Sequence, residues 1–137
     1  MTANVGYSGT PLAKKLGISA GMTVRTVSAP ETLDAALAPL PDGVRIGPRY
    51  RSASIALVFA VTEGEMIERV DRGRRVLPVD GALWLCWPKK ASGITSELQR
   101  RDVVMRHMAP LGLVDVKVAA ITDVWSGLKF VLRVDRR

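Results

Sequence analysis

One cysteine, one histidine and 5% aromatic residues are all that this chain of 137 residues holds of three residue types on which much chemistry depends. Each scarcity removes a class of function. The lone Cys86 cannot close an intramolecular disulfide, and with a single His107 it cannot build the usual Cys/His zinc clusters. No metal site is expected, and the unpaired thiol suits the cytoplasm. No Pro/Gly-rich linker, internal repeat or low-complexity run divides the chain, so residues 1–137 read as one domain. The most apolar stretch, Ala53 to Val61, is too short to span a bilayer, and MTANVGYSGTPLAKK contains no apolar run of the signal-peptide kind.

What is present is apolar material and positive charge. A hydrophobic fraction of 47% is enough for a core at this length, where a folded chain buries roughly two-thirds of the surface its unfolded form exposes. Twenty Lys and Arg stand against 13 Asp and Glu, a net charge of +7. That balance favours anionic partners: nucleic acid, nucleotides, phosphorylated metabolites or an acidic protein.

Three sites carry the spelling of a capping box, in which a Ser or Thr hydroxyl and a Glu or Gln three residues on satisfy each other's helix-end amides. Ser28-Ala29-Pro30-Glu31 opens a helix with Leu33, Leu37 and Leu40 on one face, closed by Pro41-Asp42-Gly43. Thr62-Glu63-Gly64-Glu65 opens a second, burying Met66, Ile67, Val70 and Leu77. Glu65 to Arg69, Glu68 to Arg72 and Asp71 to Arg75 form i,i+4 pairs on its wet face. Ser96-Glu97-Leu98-Gln99 opens a third, with Leu98, Met105 and Met108 inward and an end near Gly112. Between them lie strands at Thr23–Val27, Val44–Ile46, Ser54–Val61 and Ala82–Trp87. The two long runs are continuously apolar, as parallel strands covered on both faces are. Val116–Thr122 and Leu128–Val134 read as a terminal β-hairpin around a turn at 123–127. The expectation is a single Rossmann-like α/β domain with a mostly parallel sheet of 5–6 strands in the order 2-1-3-4-6-5, helices on both faces and an irregular segment 1–22 packed upon it. An antiparallel hairpin closing such a sheet is similar to the end of the class I methyltransferase layout.

Open sheets of this kind bind ligands beyond the carboxyl ends of their strands. After the first strand, a binder of nucleotide or S-adenosylmethionine would carry a Gly-rich turn. Val27-Ser28-Ala29-Pro30-Glu31 has no glycine, loses an amide at Pro30, and sets a carboxylate where an anion would lie. No Walker A loop is present. The best anion site is Trp87-Pro88-Lys89-Lys90-Ala91-Ser92-Gly93, two lysines and a Ser/Gly turn before a helix start, with Lys89, Lys90, Ser92 and Gly93 as candidates. Trp125, assigned to the hairpin turn, is free either to stack on a base or partner or to fold back over the sheet. Cys86 lies mid-strand, and His107 has no carboxylate or Ser partner nearby, so no catalytic residue is assigned. Arg45, Arg49 and Arg51 flank Tyr50 in a pattern able to track phosphates. Arg69, Arg72, Arg74 and Arg75 are partly neutralised by their own helix, and no helix-turn-helix, zinc finger or RNP signature accompanies either group.

Gly6-Tyr7-Ser8-Gly9-Thr10-Pro11-Leu12 with Lys14-Lys15-Leu16-Gly17-Ile18, Leu83-Trp84 with Trp87-Pro88-Lys89-Lys90 and Ser92-Gly93, Gly112-Leu113-Val114-Asp115 with Lys117-Val118, and Trp125-Ser126-Gly127-Leu128-Lys129 resemble the motifs of a widespread bacterial family described only as a domain of unknown function. The resemblance implies a small bacterial protein and transfers no catalytic residue. It marks the N-terminal segment, the Trp-Pro-Lys-Lys loop and the Trp-Ser-Gly-Leu-Lys hairpin as defining features. With the sheet order above, the Lys14/Lys15 segment is expected to converge with the Lys89/Lys90 loop near the carboxyl edge, which makes Lys14 and Lys15 further candidates for anion or partner contact. The leading functional expectation is therefore a non-catalytic module for an anionic small molecule or an acidic partner, with no cofactor and no membrane role. An atypical or degenerate S-adenosylmethionine-dependent methyltransferase-like protein is the alternative, and non-specific nucleic-acid binding a third.

Overall fold

The computed structural model describes residues 9–137, so Gly6, Tyr7 and Ser8 of the N-terminal motif lie outside the described residues. Six strands form one sheet: β1 (Thr23–Val27), β2 (Arg45–Gly47), β3 (Ile55–Phe59), β4 (Ala82–Pro88), β5 (Leu113–Ala120) and β6 (Trp125–Leu132). Their order is β2-β1-β3-β4-β6-β5, as the pattern of elements predicts. The first four run parallel, while β6 lies antiparallel to both β4 and β5. Every residue of β3 is buried, which is why its run is apolar without alternation.

Among the described residues four α-helices cover the sheet: α1 (Leu12–Lys15), α2 (Leu33–Leu37), α3 (Glu63–Arg74) and α4 (Arg101–Met108), so the segment 1–22, expected to be irregular, contains one short helix. The core divides at the sheet into two clusters. On one face Met66 and Val70 of α3 and Val104 and Met108 of α4 meet Val58, Leu85 and Phe130. On the other, Leu16, Ile18, Leu33 and Leu37 meet Leu57 and Trp84. Trp84 is fully buried, and its indole Nε1 donates to the Leu16 carbonyl at 3.2 Å, tying the segment after α1 to the middle of β4. α3 sits so close to β3 that a Cβ on Gly73 would stand 2.6 Å from Val58 Cγ2.

The helix at Thr62 forms as spelled. Glu65 N donates to Thr62 Oγ1, the Glu65 carboxylate accepts from Thr62 N, and all three i,i+4 pairs are made. Ile67 is the exception on this helix; it is 45% exposed. The other two boxes differ from expectation. Thr32, not Ser28, precedes α2, and it makes no side-chain cap. α2 stops at Leu37 because Pro39 forces Ala38 into extended backbone (ψ 142°). At the third site the Gln99 amide goes to the Pro88 and Ile94 carbonyls instead of back to Ser96. The chain there makes one 3-10 turn, Glu97–Gln99, extends at Arg100, and only then enters α4. The terminal hairpin is longer than predicted: Trp125 opens β6, so the turn lies before it.

Candidate functional site at the carboxyl edge

The connection from β1 to β2 passes through α2 on one face, and that from β3 to β4 passes through α3 on the other. The topological switch point therefore lies between β1 and β3, and a ligand of an open α/β sheet belongs outside their carboxyl ends. Three turns follow the strands at that edge.

The first follows β1. Ser28 has φ 57°, the left-handed conformation that glycine adopts freely and serine only under strain. The backbone bend characteristic of a glycine turn is thus present, although no glycine occupies it. Ser28 and Ala29 are exposed, and Glu31 is exposed beyond them.

The second follows β3 and is already filled by the protein itself. The Glu65 carboxylate accepts from Val61 N (2.8 Å) and Thr62 N (3.2 Å), and Glu97 accepts from Glu63 N at 2.6 Å. The two backbone bonds, from Val61 first and Thr62 second, hold the Glu65 carboxyl below its usual range. Ser96 Oγ donates to the Val61 carbonyl at 2.6 Å, and Arg106 pairs with Glu63 at 3.2 Å. The positive end of α3 is thus neutralised by carboxylates and is not a phosphate site.

The third follows β4. Lys89 N donates to the Val124 carbonyl at 2.8 Å, which joins this loop to the hairpin turn. Ser92 Oγ donates to Lys89 O (2.6 Å) and accepts from Ile94 N (3.1 Å), while Gly93 sits at φ 82°. Ser92 and Gly93 therefore shape the turn. The Lys90 side chain is exposed and Lys89 half-buried. The Thr122 hydroxyl accepts from Val124 N and Trp125 N, and Trp125 folds back so that its ring meets Phe59 edge-on, centroids 5.2 Å apart at 83°. Of the predicted residues, Lys89, Lys90, Ser92, Gly93 and Trp125 are thus brought together. Lys14 and Lys15 lie on α1, whose end is tied to mid-sheet through Trp84 and through Lys117 Nζ on the Lys15 carbonyl (3.0 Å). Phe59 and Glu97 were not identified from sequence. Nothing local marks them, since each acts through a partner distant in the chain.

Volume and chemistry point to different edges. A cavity of about 570 Å³ opens at the amino ends of β1 and β3, between 20–23, 52–54 and 76–78, but its lining carries no charged side chain. A second, of about 400 Å³, lies between α3 and His107, where the Arg72, Arg74 and Arg75 charges are met by Glu68 and Asp71. His107 Nε2 is buried there without a hydrogen-bond partner, and burial chiefly, then Arg74, lowers its pKa. Burial pushes the Cys86 thiol up, away from reactivity. Among the described residues no cluster of three His, Cys, Asp or Glu could hold a metal, and no helix is long and apolar enough to cross a membrane.

No protein-family model matches the chain, and no curated protein does. Solved structures do. TrmN from Thermus thermophilus superposes with TM-score 0.57 at 13% identity, over 89% of this chain and 47% of that one. Magnesium protoporphyrin IX methyltransferase from Synechocystis PCC 6803 with bound SAM gives 0.60 at 9%, over 89% and 74%. The branched-chain polyamine synthase of Thermus thermophilus, holding 5'-methylthioadenosine, gives 0.61 at 11%, over 88% and 53%. The chain thus spans about half the length of two of these. The likeness to the methyltransferase with bound SAM corrects the leading functional expectation: a sheet shared with such a protein favours the methyltransferase-like alternative over a non-catalytic binding module. At these identities the likeness is one of fold, and the fold is the Rossmann-like methyltransferase layout.

Proposed function

We propose that this protein is an atypical, degenerate methyltransferase-like protein whose ligand is an adenosyl sulfur compound of the S-adenosylmethionine type. The observation that carries the reading is the sheet order β2-β1-β3-β4-β6-β5 with its switch point beside a left-handed Ser28. The ligand would lie against the Ser28 turn, with the Trp125 ring and the Lys89-Lys90 loop as the far wall. On this reading the Trp87–Gly93 and Trp125–Lys129 motifs border the cleft, in keeping with the resemblance they carry.

The fit to that ligand is incomplete. Ser28 adds a Cβ and Pro30 removes an amide where a glycine turn would approach the ligand. β2 runs into Pro48-Arg49, with no carboxylate for a ribose hydroxyl. Calorimetry with S-adenosylmethionine and its demethylated product is expected to give weak binding, on the order of 0.1 mM (about −5.5 kcal/mol). Ser28→Gly should tighten it and Trp125→Ala should weaken it. Absence of both heat and thermal shift at about millimolar ligand, where even a Kd of 1 mM would register, would falsify the reading.

A further inference from the structure

We propose that the crossover from β2 to β3, with the strand beneath it, is a docking site for single-stranded nucleic acid, gripped by Arg25, Arg45, Arg49 and Arg51 with Tyr50 as the stacking ring. The proposal does not depend on an adenosyl ligand.

Unlike the connections through α2 and α3, this one contains no helix: residues 48–54 return from the carboxyl to the amino edge as bare chain. Arg25 is opposite Gly47 in the β1–β2 ladder, and Arg45 is opposite Thr23. Val24 and Ile46 point into the α1–α2 cluster, so strand alternation turns Arg25 and Arg45 together to the opposite face. The Tyr50 ring lies on that same side, 3.5 Å from where a Cβ of Gly47 would be. Arg25 Nη1 donates to the Tyr50 carbonyl at 2.8 Å, so the loop is held in place by one of the cluster's own guanidiniums. Tyr50 is 36% exposed, and Arg45, Arg49 and Arg51 are exposed around it.

What separates this cluster from the other basic region is neutralisation. On α3 every arginine faces a carboxylate: Arg69 with Glu65, Arg72 with Glu68, Arg74 and Arg75 with Asp71. Among the described residues none of Arg25, Arg45, Arg49 and Arg51 forms an ion pair. Four arginines without ion-pair partners, on one strand pair and the loop that crosses it, together with one partly exposed ring match a phosphate backbone with a stacked base. A protein partner would require an apolar centre, and the cluster offers only Tyr50.

The test is fluorescence anisotropy of a labelled oligouridylate of about 15 nucleotides, titrated across salt concentrations. Arg45→Ala/Arg49→Ala/Arg51→Ala, with Arg25 kept to anchor the loop, should weaken binding at low salt by tenfold or more. It should also lower the slope of log K against log salt by about 2, three contacts at about 0.7 each. Tyr50→Leu should cost about tenfold with the slope unchanged. Thermal melting checks that these variants fold. Arg72→Ala/Arg74→Ala/Arg75→Ala removes the same charge from α3 and should leave binding nearly intact. The proposal is overturned if the α3 variant loses as much, since net charge would then suffice. It is equally overturned if affinity is flat in salt, or if polyglutamate competes as well as RNA, which would point to an acidic protein.

Discussion

Ser28–Glu31 and Thr62–Glu65 are spelled alike and fold differently. At Thr62 hydroxyl and carboxylate cap one another's amides, and α3 continues for 12 residues. At Ser28 the backbone turns left-handed, the helix waits until Leu33, and it lasts 5 residues. The difference is set by what lies around each turn. Glu97 reaches the first amide of α3 and Ser96 the Val61 carbonyl, so tertiary contacts reinforce the local motif. Pro30 and the exposure of Ser28 leave the other turn without such support. A cap spelled in sequence is an offer that neighbours accept or decline.

Four measurements sharpen this contrast. Gly73→Ala presses a methyl against Val58 and should lift α3 off β3; chemical denaturation is expected to show a loss of about 2 kcal/mol. Thr62→Ala should cost about 1 kcal/mol, whereas Ser28→Ala, with no cap to lose, should not show that cost. An equal cost at both positions would dissolve the contrast. Ser28→Gly relieves the left-handed strain and should raise stability by about 0.5 kcal/mol in the same assay, net of glycine's larger unfolded-state entropy. The smallest effect is one of pH. Glu65 is held below its ordinary pKa of 4.5, so its contribution is present above that value and fades as pH falls through the lower folded one. Glu65→Gln should flatten stability over that acidic range; an unchanged acid limb would mean the carboxylate does not cap in solution.

The parts legible in sequence were those settled within a few residues or by a long apolar run. β3 and β4, the strand order, the Thr62 cap and the three α3 ion pairs belong to this class. Illegible parts depended on distant partners. Gln99 left its expected box for a carbonyl of β4, and Trp125 found Phe59 across the sheet. The absence of glycine after β1 was visible, but the left-handed bend Ser28 makes there was not, because the fold and not the residue imposes it. The Lys89-Lys90 loop and Trp125 were legible as candidates, but the switch point between β1 and β3 emerges only from the strand order, which sets the Ser28 turn beside it.

The bond from Trp84 to the Leu16 carbonyl joins residues 68 apart in the chain. During synthesis, Leu16 leaves the ribosome well before the indole that will hold it. Closing a loop over that span is costly before the strands between have formed, so the early-made α1 segment is expected to dock late. Tryptophan fluorescence on refolding of a Trp87→Phe/Trp125→Phe variant, which leaves Trp84 as the single indole, would time that event. The segment is made early but depends on the sheet to settle, and a nascent chain stalled before β4 would carry it unpaired.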